Sequence, residues 1–332
     1  MAAGYDDVPH SVTLGDLAAS PDVAQVVAIE DCELPTDKNG ISLERTRTGE
    51  LNGKSRTDTP SNGESEAISV HVFHTGSVSI DRALAFRETS LHPMPYTGWL
   101  RPQSKKRWVP VSAYLIDHPD GLALVDTGWH TDMRTNQRGH LGFLPATMLT
   151  GRLPAGEAIH EQLAAMDIEA SDLTYVILTH LDSDHVSGVT HVEEASNIIV
   201  SQPEWDARGQ FRYVPSMWAG VDIDPFSLED IPFGPYNEGL DLFGDGRVYL
   251  VSTPGHSAGQ LSVLVHNGPG WILLASDVGY ATRAWTEDVL PGITDDDDEA
   301  RTALRWVADF SQRDDCLAVL ANHDTDVVPG EV

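Results

Sequence analysis

Only two cysteines, Cys32 and Cys316, occur in 332 residues, far apart and in unrelated contexts. Their scarcity excludes a disulfide framework and a cysteine-built zinc ribbon, and leaves two free thiols as the expectation. Lysine is nearly as scarce: Lys38, Lys54, Lys105 and Lys106 are all there are, and the formal net charge is −30. Such a chain repels phosphate backbones and anionic lipid, so neither nucleic acid nor a membrane is an expected partner. A salt-rich cytoplasm or an arginine-preferring genome would each account for the missing lysine. No window approaches 18 uninterrupted apolar residues, and the opening "MAAGYDDVPHSVTLGDL" has neither the basic start nor the apolar centre of a secretion signal. A soluble cytoplasmic protein is expected. Ser77 and Ser112 stand in no GxSxG context, and a serine hydrolase is not expected. The "DTG" at Asp126 has no second copy, although an aspartic protease needs a pair of such carboxylates.

What is present is a chain with 41% apolar residues, long enough for one large core or two ordinary ones. Residues 1–66 read as an extension: "DKNGISLERTRTGELNGKSRTDTPSNGESEA" is polar and without period, and "VTLGDLAASPDVAQVVAI" before it supports a short helix. Residues 67–332 read as the folded domain, in which β-branched runs alternate with amphipathic stretches. "GLALVDTGW", "LTYVILTH", "SNIIVSQ", "RVYLVSTPGH", "LSVLVHN", "WILLASDVGY" and "CLAVLANHD" are expected strands; "PAGEAIHEQLAAM" and "DDDDEARTALRWVADF" are expected helices. The acidic run at Asp295 to Asp298 suits a solvated helix start, where the helix dipole favours negative charge.

Ligand-type residues stand at or just past the carboxyl ends of these strands: Asp126, His180, His256, Asp277 and His323. Polar groups placed there, rather than scattered through loops, are expected to converge on one rim. Within "HLDSDH", extended alternation aims His180 and Asp182 to one side, while a turn near Ser183 lets Asp184 and His185 face an adjacent position. Imidazoles and carboxylates are what zinc-type ions want, and seven of these residues, His180, Asp182, Asp184, His185, His256, Asp277 and His323, would serve two ions.

These motifs resemble those of the metallo-β-lactamase-fold hydrolases, and most of all the N-acyl homoserine lactonase branch. "HLDSDH" is similar to the family's HxHxDH, "STPGHSAG" supplies the third histidine, "SDVGY" the bridging aspartate, "ANHD" the last histidine and "LVDTGW" the DTG turn. "HVFHTGSVSIDRAL" resembles the opening strand, and the likeness spans residues 68–326. The resemblance implies an α/β fold, an αββα sandwich of two mixed sheets flanked by helices. It implies two divalent metal ions, zinc first: one on His180, Asp182 and His256, one on Asp184, His185 and His323, and Asp277 bridging both. Asp182 departs from the family, which has histidine there, and its carboxylate hardens the site toward Mn or Fe.

The implied chemistry is hydrolysis of an ester or lactone, N-acyl homoserine lactone above all, by attack of a metal-bridged hydroxide, hence quorum quenching. Tyr280 is expected to hydrogen-bond the lactone carbonyl, and Asp184 to carry a proton. Asp126 is expected to order the site from behind. The apolar loops "LHPMPYTGWLRP", "HLGFLPATM" and "MWAGVDIDPF" read equally as an acyl-chain groove or as ordinary loop anchors. A thioester or phosphodiester hydrolase, and a metal-poor binding protein that kept the fold, stay open as alternatives. The expected partner is a small ester or lactone, with a homodimer the oligomer considered.

Overall fold

Tyr114 and Ile116 point to one side of a long strand while Ala113 and Leu115 point to the other, and all four are buried. A strand apolar on both faces must be covered on both, which requires a layered architecture. The computed structural model describes residues 68–332. The expected extension over residues 1–66, its short helix and its boundary, as well as Cys32, lie outside the described residues.

In chain order the first strands are β1 (Ser69–Asp81), β2 (Lys106–His118), β3 (Gly121–Val125), β4 (Thr150–Arg152), β5 (Leu173–Leu178), β6 (Ile198–Ser201) and β7 (Asp224–Phe226). They are followed by β8 (Glu229–Asp230), β9 (Glu238–Asp241), β10 (Val248–Ser252), β11 (Leu261–Asn267), β12 (Gly270–Ser276), β13 (Cys316–Ala321) and β14 (Gly330–Glu331). One sheet runs β14-β1-β2-β3-β5-β6-β7, with β4 added on β1; the other runs β13-β12-β11-β10-β9-β8. Both are mixed: β3, β5, β6 and β7 pair in parallel in the first, β12 and β13 in the second. Each strand expected from the sequence is present, as are both helices, at Ile159–Ala165 and Asp297–Phe310. β2 was not singled out from the sequence, and β4, β7 and β8, of two or three residues, are too short to show alternation.

Three apolar layers hold the sandwich. Val72, Tyr114, Ile177, Leu250, Val263 and Ile272 fill the space between the sheets. Leu115, Leu124 and Val176 face Trp129, Leu141, Ile159 and Leu163 on one outer side. On the other, Leu264 and Leu273 receive Ala300, Leu304, Val307 and Phe310 from the helix Asp297–Phe310. Asp296 caps that helix by accepting from the backbone of Asp298 and Glu299, so the acidic run is a helix start as expected. This is the αββα sandwich. No helix among the described residues is long and apolar enough to cross a membrane. Cys316 is a free thiol.

The strand ends meet at one rim. β3 ends at Val125 before Asp126, β5 two residues before His180, β12 directly before Asp277 and β13 two residues before His323. Asp126 and Ser276 take left-handed backbone angles, φ 59° and 50°, which non-glycine residues adopt only when their surroundings insist. Gly128, at φ 60°, packs so closely that a Cβ would lie 1.7 Å from Thr75 Oγ1. The turn therefore lies flat, and Thr127 uses both its amide and its hydroxyl to hold the His185 carbonyl at 2.8 Å.

Candidate metal centre

The loop after β5 enters a short helix at Ser183–Val186, and this change of conformation separates two sets of side chains. His180, Asp182 and His256 form one group, with ligand atoms all within 4.8 Å of one another; Asp184, His185 and His323 form another. Asp277 stands between them. Its Oδ1 lies 3.5 Å from His185 Nε2 and 3.4 Å from His323 Nε2, and its Oδ2 lies 3.7 Å from His256 Nε2. His323 Nε2 is 3.5 Å from Asp184 Oδ2, and His180 Nε2 is 3.5 Å from Asp182 Oδ2. These gaps are long for hydrogen bonds but suit atoms sharing an ion at about 2.0–2.2 Å. All seven residues singled out from the sequence are brought together.

Hydrogen bonds on the far side of three rings decide which nitrogen faces inward. His185 Nδ1 donates to Asp126 Oδ2 at 2.7 Å, and His323 Nδ1 donates to the Pro110 carbonyl at 2.8 Å. Thr179 gives its one hydroxyl hydrogen to Asp126, so at 3.1 Å it accepts from His180 Nδ1. Nε2 is then the nitrogen left for an ion in each ring. His180 Nε2, His185 Nε2, His323 Nε2 and Asp277 Oδ1 are buried without any hydrogen-bond partner. Buried polar atoms are almost always paired, so four that share one space fit a cation between them. Asp126 does order the centre from behind, with Asn322 Nδ2 donating to it as well at 3.2 Å.

His256 is the exception. Its Nδ1 is the buried atom without a partner, while Nε2 lies 3.1 Å from both Asp182 Oδ2 and Arg212 Nη2. Asp182 itself makes no capping bond to the loop backbone; its side chain is held by Arg212, through Nε at 3.0 Å to Oδ1 and through Nη2 to Oδ2. Arg212 is fixed in turn by the His256 carbonyl at 2.6 Å and by Asp295 at 3.1 Å. Asp295 is thus more than a solvated helix start.

Electrostatics follow the same division. Burial pushes the Asp277 carboxyl up, but His323 and His185 hold it well below the usual carboxylate range. Burial would pull the His185 imidazole down, yet Asp126 and Asp277 hold it well above its ordinary value. This half of the centre is short of positive charge, a deficit that a divalent ion would fill. Burial raises the Asp182 carboxyl as well, but Arg212, followed by His180 and His256, keeps it well below the ordinary range.

Tyr280 is buried with its ring stacked on His323 at 4.8 Å, and burial together with Asp277 and Asp184 pushes its phenol well above 10. Of the apolar loop residues, Met217 and Trp218 are core anchors, whereas Leu100 and Phe143 are exposed. Sequence reasoning missed Arg212 and Glu204. Fully buried Glu204 accepts from Leu181 N, Tyr213 Oη, Ser257 Oγ and Gly259 N, which ties the two ligand loops to the Arg212 segment. Of two further histidine–carboxylate groups, the one around His118 has both ring nitrogens engaged, with Asp245 and the Asp120 amide, and in the one around His130 the His130 Nδ1 accepts from the Asp132 amide.

A family model described as the metallo-beta-lactamase superfamily matches residues 107–314. An N-acyl homoserine lactonase of Rhizobium radiobacter, AttM, is 27% identical over 227 residues, covering 66% of this chain and 83% of the relative. An N-acyl homoserine lactonase of Bacillus cereus is 26% identical over 230 residues, covering 67% and 84%. The solved structure of an N-acyl homoserine lactone hydrolase, with the product N-hexanoyl-L-homoserine bound at its catalytic metal centre, superposes with a TM-score of 0.62 at 22% identity, over 78% of this chain and 94% of that one.

Proposed function

The chain belongs to the metallo-beta-lactamase superfamily, and from that membership we propose that it is a metal-dependent hydrolase that opens the lactone ring of N-acyl homoserine lactones. The observation that carries the reading is the set of four buried, partnerless atoms on His180, His185, His323 and Asp277. The lactonase relatives point the same way. Asp184, His185, His323 and Asp277 would hold one divalent ion; His180, Asp182 and His256 form a second position with Asp277 between. Zinc is the first choice, and were the second position filled, Asp182 would lean it toward Mn or Fe.

Bound ions supply Lewis acidity and water that ionises near neutral pH. Tyr280, protonated at neutral pH in its buried setting, is assigned to donate to the developing oxyanion of the lactone carbonyl. Asp184, beside His323 and 15% exposed in its side chain, is assigned to hold a proton for the departing ring oxygen. Asp126 keeps His185 in one tautomer and orientation.

Metal content and turnover measured on one purified batch test the reading, with acyl homoserine lactones, a thioester and a phosphodiester as substrates. Ring opening that chelation abolishes is the expected result. Preference for the thioester or phosphodiester would move the activity elsewhere within the superfamily, and full metal content with no hydrolysis would leave a binding protein.

A further inference from the structure

The two halves of the centre are not equivalent, and the difference is Arg212. Its guanidinium grips both oxygens of Asp182, is anchored from behind on the His256 carbonyl and Asp295, and brings Nη2 to 3.1 Å from His256 Nε2. With a side chain only 13% exposed, it is a built part of the centre rather than a passing surface residue. An ion in this position would have to bind Asp182 Oδ2 and His256 Nε2, the two atoms that Nη2 already faces.

The supporting bonds agree. His185 and His323 each have Nδ1 engaged and Nε2 free, the arrangement that prepares an imidazole for an ion; His180 shares it, so the halves differ at Asp182 and His256. His256 has the reverse: Nδ1 is buried and unpartnered, and Nε2 is engaged. Charge agrees as well. A carboxylate in place of the family's histidine adds one negative charge, the paired arginine returns one positive charge, and a divalent cation brought to the same oxygen would meet a permanent cation beside it.

We propose that Arg212 stands in for one of the two ions, so that the chain retains a single divalent ion, held by Asp184, His185, His323 and Asp277. The inference rests on the metal-hydrolase reading above and adds the number and place of the ions. Arg212 is a positioning residue: it fixes Asp182 and His256 and supplies a positive charge that does not exchange with solution.

The test is ion stoichiometry by elemental analysis on the full-length protein, purified after growth in zinc-replete medium and dialysed against buffer. About one ion per chain is expected, lost in His323→Ala and kept in His180→Ala. The double variant Asp182→His with Arg212→Met, which restores three imidazoles and removes the guanidinium, should approach two ions per chain. Two tightly held ions in the unaltered protein would overturn the inference and leave the hydrolase reading standing; so would one ion that departs with His180→Ala but stays with His323→Ala. Under half an ion per chain with full turnover would overturn both. The count on the unaltered protein decides the inference even where the double variant fails to fold.

Discussion

His185 Nδ1 donates to the Asp126 carboxylate at 2.7 Å, with both side chains buried. Asp126→Asn would offer that nitrogen an amide in place of a charge and weaken its hold on one tautomer. Ion affinity, measured by competition with a chelator, should fall about ten- to a hundredfold. An unchanged affinity would reduce Asp126 to a bond that only shapes the DTG turn.

Tyr280→Phe removes the phenol and keeps the ring on His323. Turnover on the lactone should fall about ten- to a hundredfold, the worth of one hydrogen bond made in the transition state, with the ion content unchanged. Equal turnover would make Tyr280 a packing residue.

Glu204→Gln turns a carboxylate that accepts four hydrogen bonds into an amide that accepts fewer, and the Gly259 amide cannot rotate to suit. The cost should be about 2–3 kcal/mol. For a domain of this size thermal unfolding should shift down by about 5–10 °C. A shift within experimental error would show that the two ligand loops do not depend on Glu204.

Glu161 is held down to about 2 by Arg134, with the amides of Ala158 and Gly156 helping. Because its folded value lies below its ordinary 4.5, its contribution is complete above that pH and is lost as the pH falls toward about 2. Glu161→Gln should cost about 1 kcal/mol near neutrality, allowing for screening at a partly exposed pair. The gap between the two proteins in thermal unfolding should close on acidification from pH 5; a constant gap would mean that shape rather than charge is what Glu161 contributes.

The residues of the centre were legible because they are bound to local pattern. His180, Asp277 and His323 follow apolar runs whose ends can be read from the two-residue period, and a polar residue just past such an end has few places to go but the rim. The sandwich was implied by the resemblance of the motifs to the metallo-β-lactamase fold, and strands apolar on both faces agree with it. What the chain order conceals is which distant segment covers the centre. Arg212 lies in "GQFRYVPS", 30 residues from Asp182 and 44 from His256, without apolar period, and reads as an ordinary surface arginine. Glu204 in "SQPEWD" stands in the first turn of a short helix, a place that acidic residues take for local reasons alone. Their roles depend on β6 lying beside β5 and on the following loop folding back over the strand ends. Hydrophobic periodicity states which face of an element is buried but not which element it meets, so those partners were decided by the tertiary structure alone.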